Sequence, residues 1–207
     1  VARFLKTSNA DIIALQEVRN DDPKRDIIKF LSELGYQHAF APVKKRTWSD
    51  GPAIFSKYNI SKTETYVLSE AESRAAVKVD VQVKDSLLHV INTHLLHTHQ
   101  QPSEIQKLQI ENLIKILPAE HTVVMGDFNA TPQSEVIKKM EEVLVNTDPS
   151  SAPTWSIYPE GCETCRPNAV NMKLDYIFTT KDIRTSLFKV ENSKGSDHLP
   201  ISAIIEI

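Results

Sequence analysis

Five short polar motifs, each closing an apolar run, constrain this 207-residue chain more than any other feature of its sequence. They are Leu15-Gln16-Glu17-Val18, Asn92-Thr93-His94-Leu95, Gly126-Asp127-Phe128-Asn129, Leu174-Asp175-Tyr176-Ile177 and Ser196-Asp197-His198-Leu199-Pro200. An apolar run that ends in a carboxylate or an imidazole reads as a buried strand delivering a reactive side chain to the edge of a sheet. Five such edges converging on one pocket would bring together Glu17, His94, Asp127, Asn129, Asp175, Asp197 and His198. That set is an oxygen-rich metal site flanked by two groups able to titrate near neutrality, the makings of a hydrolase for a charged substrate.

The segments between the motifs alternate in period. Residues 1–8 read as a short helix and 11–18 as a buried strand. Residues 24–34 carry Ile27, Ile28, Leu31 and Leu34 at helical spacing and stop at Gly35. A strand follows over Gly51-Pro52-Ala53-Ile54-Phe55. Residues 77–83 alternate strictly between apolar and polar and turn through Lys84-Asp85-Ser86 into 87–93, which predicts an antiparallel hairpin with one wet face at a sheet edge. Ser103 with Gln106 forms a capping box for a helix up to Pro118. Residues 122–125 read as a buried strand, Thr131 and Pro132 as the cap and first turn of a helix reaching about Leu144, and 174–179, 183–190 and 199–207 as closing strands. With no internal repeat and no linker, residues 1–207 are expected to form a single domain.

Composition narrows the partners. A formal net charge of -3 supplies no overall field for a polyanion, so any nucleic-acid contact must come from a local patch. No apolar stretch approaches a bilayer span, and Val1 to Lys6 lacks the apolar core of a signal peptide, so a soluble chain is expected. Compartment and oligomeric state are unassigned. The two cysteines, Cys162 and Cys165, lie in one Cys-x-x-Cys, which is half of a zinc knuckle without its other half; a loop disulfide and a pair of free thiols both stay open.

Phosphoester hydrolysis needs a metal to neutralise phosphoryl oxygens, a positioned water, and a proton or cation near the leaving oxygen. Glu17 at a strand end is a suitable hard-oxygen ligand for Mg²⁺, or else a carboxylate at the start of the next turn. Asp127 and Asn129 flank Phe128, so on an extended segment both point the same way: one can accept a proton from water while the other donates to phosphate. The same stretch starts like a calcium loop, but Pro132 stands where that loop needs Gly and Lys138 where it needs Glu. His198 needs a carboxylate from elsewhere in the chain, and Asp175 is the natural candidate. No Gly-x-Ser-x-Gly elbow supports a serine nucleophile at Ser196, and His94, His97 and His99 lack the residues that would complete a zinc signature. His97 and His99 read as exposed loop residues near the pocket. Arg74 is a candidate phosphate ligand, and Lys44, Lys45, Arg46 and Trp48 could neutralise a polyanion and stack a base or head group, or could form an ordinary solvated loop.

In these motifs, and in their order from Ala10 to Ile207, the sequence resembles the endonuclease/exonuclease/phosphatase superfamily, which includes pancreatic-type deoxyribonucleases, exonuclease III-type nucleases, neutral sphingomyelinases, inositol polyphosphate 5-phosphatases and deadenylases. The resemblance implies an α/β (α+β) four-layer sandwich, two stacked mixed sheets flanked by helices, with Mg²⁺ or Mn²⁺ at their shared edge. It further implies Glu17 as principal metal ligand, Asp197 at the metal shell, Asp127 orienting the attacking water and Asn129 holding water or phosphate. His198 paired with Asp175 would stabilise the transition state or act as acid or base, and His94 would be a second histidine on phosphate. Two departures stand out. The family's first strand, which carries an Asn supporting the metal ligand, is not found ahead of residues 1–8, and His94 replaces the Tyr of the exonuclease III type. Arg74, within Ser73-Arg74-Ala75-Ala76-Val77, resembles a phosphate-contacting arginine of the secreted deoxyribonucleases. The expected activity is a divalent-metal phosphodiesterase acting on nucleic acid; a sphingomyelinase- or phosphatase-like hydrolase and an inactive binding module on the same fold are the alternatives.

Overall fold

The computed structural model describes all residues except 25, 45–48, 71–73, 99–100 and 156–169, and only the backbone of Lys44. Lys45, Arg46, Trp48, His99, Cys162 and Cys165 therefore lie outside the described residues. In chain order the elements are α1 (Ala2–Ser8), β1 (Ile12–Val18), α2 (Ile27–Glu33), β2 (Gln37–Phe40), β3 (Val43–Lys44), β4 (Ser49–Ser56), β5 (Asn59–Ser69), β6 (Arg74–Val83), β7 (Ser86–His94), α3 (Glu104–Lys115), β8 (Thr122–Asp127), α4 (Glu135–Val143), β9 (Val145–Asn146), β10 (Asp175–Thr179), β11 (Arg184–Val190) and β12 (Ile201–Glu206).

Strand parity builds four layers. One sheet has the order β1-β4-β2 with β3 added to β4; the other has the order β5-β6-β7-β8-β10-β9. Val77, Val79, Val81, Val90, Val123 and Ile177 of the large sheet meet Ala39 and Ile54 of the small one in a buried core between them. On the far side of the large sheet, Ile91, Val124, Tyr176 and Phe178 pack with Ile110 and Leu113 of α3 and with Val136, Ile137 and Met140 of α4. On the far side of the small sheet, Ile13, Ala53 and Phe55 pack with Leu5 of α1 and Leu31 of α2. The central strands β4, β8 and β10 thus bury one set of alternate residues between the sheets and the other against helices, the pattern expected of strands covered on both faces. No helix among the described residues is long and apolar enough to cross a membrane.

Beside the small sheet, β11 and β12 pair, among the described residues, only with each other. Between β12 and the unpaired edge of β1 runs a cavity of about 1570 Å³, lined by Ile12 and Ala14 on one side and Ile201, Ala203 and Ile205 on the other. A further strand there would join the two into one continuous sheet.

Three local expectations are corrected. The hairpin of β6 and β7 keeps its wet face, where Asp80 and His89 pair at 2.6 Å, but it is not an edge: β5 covers β6 along its length. The sequence hid β5 because its residues are mostly exposed and polar, leaving no apolar alternation to read. The helix expected from 24 begins at Ile27, because the Asp26 side chain accepts from Lys29 N at 2.8 Å and caps it there. The helix expected from Thr131 begins at Glu135: residues 131–134 form a turn closed by Ser134 N to Thr131 O, and Ser134 Oγ then caps Ile137 N.

Candidate active site

The polar motifs share the face between the sheets because of strand register. The parallel pair β7 and β8 aligns His94 with Asp127, and the antiparallel pair β10 and β8 aligns Asp175 with Asp127. All three follow the parity of the inter-sheet residues Val90, Val123 and Ile177, so they emerge together where the apolar core ends. Gly126 permits the close approach: a Cβ there would lie 2.2 Å from Thr93 O of β7. The turn that follows is tied back by Asn129 N donating to Asp127 Oδ1 at 2.8 Å, with Asn129 in the left-handed region at φ 48°.

Glu17 arrives from the other sheet. The ladder between β1 and β4 shifts between Leu15 and Val18, and Glu17 has φ 54°, so an irregularity in β1 re-aims this carboxylate out of the regular alternation. The two sheets are bolted beneath it by Asn92, which is fully buried. Its amide donates to Leu15 O at 2.8 Å and Ala53 O at 2.9 Å, and its oxygen accepts from Gln16 Nε2 at 2.8 Å.

At the centre, His198 Nδ1 is 2.8 Å from Asp175 Oδ2. Its Nε2 faces Asp127 Oδ2 at 3.8 Å, and His94 Nε2 approaches the same oxygen at 3.5 Å. Asp127, Asp175 and His198 are the described residues whose ligand atoms gather within 4.8 Å. The structure does not bring Glu17 or Asp197 into that group. Asp197 accepts from Trp155 Nε1 and Ser196 Oγ, each at 3.2 Å, and is exposed. Arg74 opens β6 at the same end of the sheet, half-buried, with its Nε enclosed and without a hydrogen-bond partner among the described residues.

Burial, then the charge of Asp175, push the Asp127 carboxyl up to about 7; His198 and the Asn129 N–H act against this, while Glu17 adds to it. Burial opposes a charge on His198, but the hydrogen bond and charge of Asp175, with Asp127 and Asp197 behind, outweigh it and raise the imidazole to about 9. Carboxylates that hold each other's protons in place are short of positive charge. The charge of Glu17 is felt at Asp127, and hard carboxylate oxygens of this kind suit a divalent cation such as Mg²⁺, which needs only one or two carboxylates and keeps its waters. The donor set fits such an ion better than a soft one, since His198 Nδ1 is already committed to Asp175.

Several residues that hold this arrangement escaped the sequence reading. Thr154 Oγ1 donates to Asp175 Oδ2 at 2.5 Å, the same oxygen that meets His198. Trp155 bridges to both Met172 and His198 and sets its ring beside those of His97 and His198 at centroid distances of 6.4 Å and 6.3 Å. The loop carrying both is anchored by a fully buried ion pair, Lys173 to Asp148, with Asp148 also accepting from Ser150 N and Ala152 N. His97, expected as an exposed loop residue, lies in a loop but is half-buried, and its Nδ1 meets Asn129 Oδ1 at 2.9 Å. Asn92 had the one usable signal, an amide directly after the apolar pair Val90-Ile91 in a strand that the sequence already marks as buried on one face.

A sequence model of the endonuclease/exonuclease/phosphatase family matches residues 1–198. Against individual curated proteins the sequence gives no match. Among solved structures, ANGEL2, a 2′,3′-cyclic phosphatase crystallised with adenosine-2′,3′-vanadate, superposes with a TM-score of 0.79 at 17% identity, covering 99% of this chain and 84% of its own. The human Nocturnin catalytic domain with bound sulfate superposes at 0.68 with 23% identity, over 98% and 84% of the two chains. The Bacteroides thetaiotaomicron mannosyl-6-phosphatase superposes at 0.74 with 14% identity, over 100% and 89%. At these identities the likeness is one of fold: stacked sheets flanked by helices.

Proposed function

The chain belongs to the endonuclease/exonuclease/phosphatase family, and from that premise we propose that it is a divalent-metal-dependent phosphoester hydrolase, acting first on phosphodiesters of nucleic acid. The observation that carries this reading is the linked set Asp175, His198, Asp127 and His94, in contact at 2.8, 3.8 and 3.5 Å at the mouth between two sheets, with the charge of Glu17 felt at Asp127.

Glu17 would hold Mg²⁺ or Mn²⁺, with Asp197 at the outer shell; a divalent cation bound there neutralises phosphoryl oxygens and favours deprotonation of water. The chain's own residues supply the rest. Asp127, pushed up to about 7, is poised to orient the attacking water and take its proton at neutral pH. Asn129 presents an amide hydrogen to a phosphoryl oxygen. His198, raised to about 9, is cationic at neutral pH and stabilises the charge that builds on the phosphoryl group, while Asp175 fixes its ring through Nδ1. His94 offers a second imidazole, and Arg74 a guanidinium whose enclosed Nε has no acceptor among the described residues.

The second reading is a phosphatase- or sphingomyelinase-like activity on a small or lipid phosphoester. The net charge of -3 favours it, since a polynucleotide backbone would meet no overall positive field. The superposed cyclic phosphatase and mannosyl-6-phosphatase carry such activities on this fold.

Nicking of supercoiled plasmid with Mg²⁺, compared with an EDTA control and with His198→Ala, tests the first reading. Metal-dependent nicking lost in His198→Ala is the expected result. Absence of nicking with retained hydrolysis of a 2′,3′-cyclic nucleotide, a sugar phosphate or sphingomyelin would move the chain to the second reading. No turnover on any of them would leave a binding module.

A further inference from the structure

The contact between His97 and Asn129 has a defined polarity. Asn129 Nδ2 lies 3.0 Å from Leu95 O, which can only accept, so the amide nitrogen and not its oxygen must face that carbonyl. Asn129 Oδ1 then faces His97 Nδ1 at 2.9 Å, and an oxygen there requires a hydrogen on Nδ1. The alternative tautomer would set two lone pairs against each other.

The surroundings hold both partners in place from the neighbouring helix. Gln106 of α3, buried, donates to Leu96 O at 2.9 Å and to Phe128 O and Asn129 O at 3.2 Å, so one side chain ties the loop of His97 to the turn of Asn129. Gln109 Oε1 accepts from Leu96 N at 2.9 Å and pins the same loop a second time. Trp155 packs its ring edgewise to His97, 6.4 Å between centroids.

We propose that His97 is a positioning residue that acts through Asn129. As an Nδ1–H donor it takes up the amide oxygen, while Leu95 takes one amide hydrogen, so the second hydrogen of Nδ2 is the group presented to a phosphoryl oxygen. The neutral Nδ1–H form and the imidazolium both donate from Nδ1, so the arrangement survives a change in the charge of His97. This inference rests on the reading of Asn129 as the residue that faces phosphate.

The first test needs no variant. Carbon and nitrogen chemical shifts of the imidazole, recorded on the wild-type protein, distinguish the two neutral tautomers, and His97 is expected as Nδ1–H, against the Nε2–H preference of histidine in water. The second compares His97→Phe, which keeps a ring but has no donor, with His97→Asn, whose amide nitrogen stands near the Nδ1 position. On bis(p-nitrophenyl) phosphate with Mg²⁺, His97→Phe is expected to lose about 10- to 100-fold in kcat with KM little moved, the usual scale for an outer partner of a site residue. His97→Asn is expected to recover most of the loss, with both variants melting near the wild type. An Nε2–H tautomer, or wild-type kcat in His97→Phe, overturns the proposal. If the wild type turns over no phosphoester at all, the functional reading fails while the tautomer still decides whether His97 orients Asn129.

Discussion

Asp175 Oδ2 accepts two hydrogen bonds at once, from His198 Nδ1 at 2.8 Å and from Thr154 Oγ1 at 2.5 Å. A carboxylate so held fixes the ring and favours its charged form. Asp175→Asn keeps the shape but removes the charge, and its amide can present a hydrogen where His198 needs an acceptor. The expected result is a fall in kcat of about 10²- to 10⁴-fold, the usual contribution of a positioned acid or base. The Asp175→Asn/His198→Ala pair should be no worse than His198→Ala alone, because the two act as one unit. Steady-state kinetics of the three variants decide it; an additive double variant would separate the residues.

Three of the five motifs meet at one sheet end because His94 and Asp127 close β7 and β8 while Asp175 opens the antiparallel β10; Ser196 to Pro200 precede β12 instead of closing a strand, so only contacts bring His198 to them. His94, Asp127 and Asp175 needed only period-two alternation and a common sheet end to converge. What was not legible depended on contacts between segments remote in sequence. Nothing local marks Thr154 as a partner of Asp175, 21 residues on, or Asp148 as a partner of Lys173. Nor could alternation reveal that Glu17 sits at an irregularity, since a bulge shows only when the partner strand is known. The strand β5 was missed for the opposite reason: it is exposed along most of its length and gains its place from the ladder to β6 rather than from apolar burial.

The titrating groups Asp127 and His198 are expected to make stability depend on pH and on an added divalent cation. Folding raises Asp127 from 3.8 to about 7, so the folded protein holds this proton more tightly than the unfolded chain does. The stabilisation is full below about pH 4 and is lost as pH rises through about 7. His198, raised from 6.5 to about 9, contributes stability that is full below its unfolded value and is lost as pH rises through about 9. The metal-free protein should therefore melt at lower temperature as pH goes from 5 to 9. A divalent cation replaces the missing positive charge, so Mg²⁺ should raise the melting temperature more at pH 8 than at pH 5. Melting curves with Mg²⁺ and with EDTA at both values check this; equal shifts would mean that Asp127 does not feel the ion.

Lys173 and Asp148 are each 1% exposed, and the ammonium also lies over the rings of Tyr176 and Phe188 at 4.8 Å and 5.2 Å. Burial opposes the charge on Asp148, but Lys173 and Ser150 hold its carboxyl below the usual range. Lys173→Met would strand that carboxylate, at a cost of about 3–5 kcal/mol, the scale seen when one partner of a buried pair is removed. Removing the second charge as well, in Lys173→Met/Asp148→Asn, should restore part of the loss. Urea midpoints measure both. A loss in the double variant equal to the sum of the single losses would show that the pair is not coupled.

Gly126 sets the distance on which the site depends. A Cβ at this position would stand 2.2 Å from Thr93 O and 3.0 Å from Thr93 C, both backbone atoms of the adjacent parallel strand. Backbone cannot swing aside as a flexible side chain can, so Gly126→Ala must part β7 from β8 where Thr93 faces Gly126 and His94 faces Asp127. Overpacking of this kind costs about 1–3 kcal/mol. The functional loss should be larger than the stability loss suggests, because the same displacement opens the 3.5 Å approach of His94 to Asp127 and shifts the turn that carries Asn129. Gly126→Ala is expected to melt lower than the wild type and, at a temperature where it is still fully folded, to turn over substrate more slowly. Wild-type kcat in a destabilised but folded Gly126→Ala would show that the site tolerates a wider strand spacing, and that His94 and Asp127 work independently of each other.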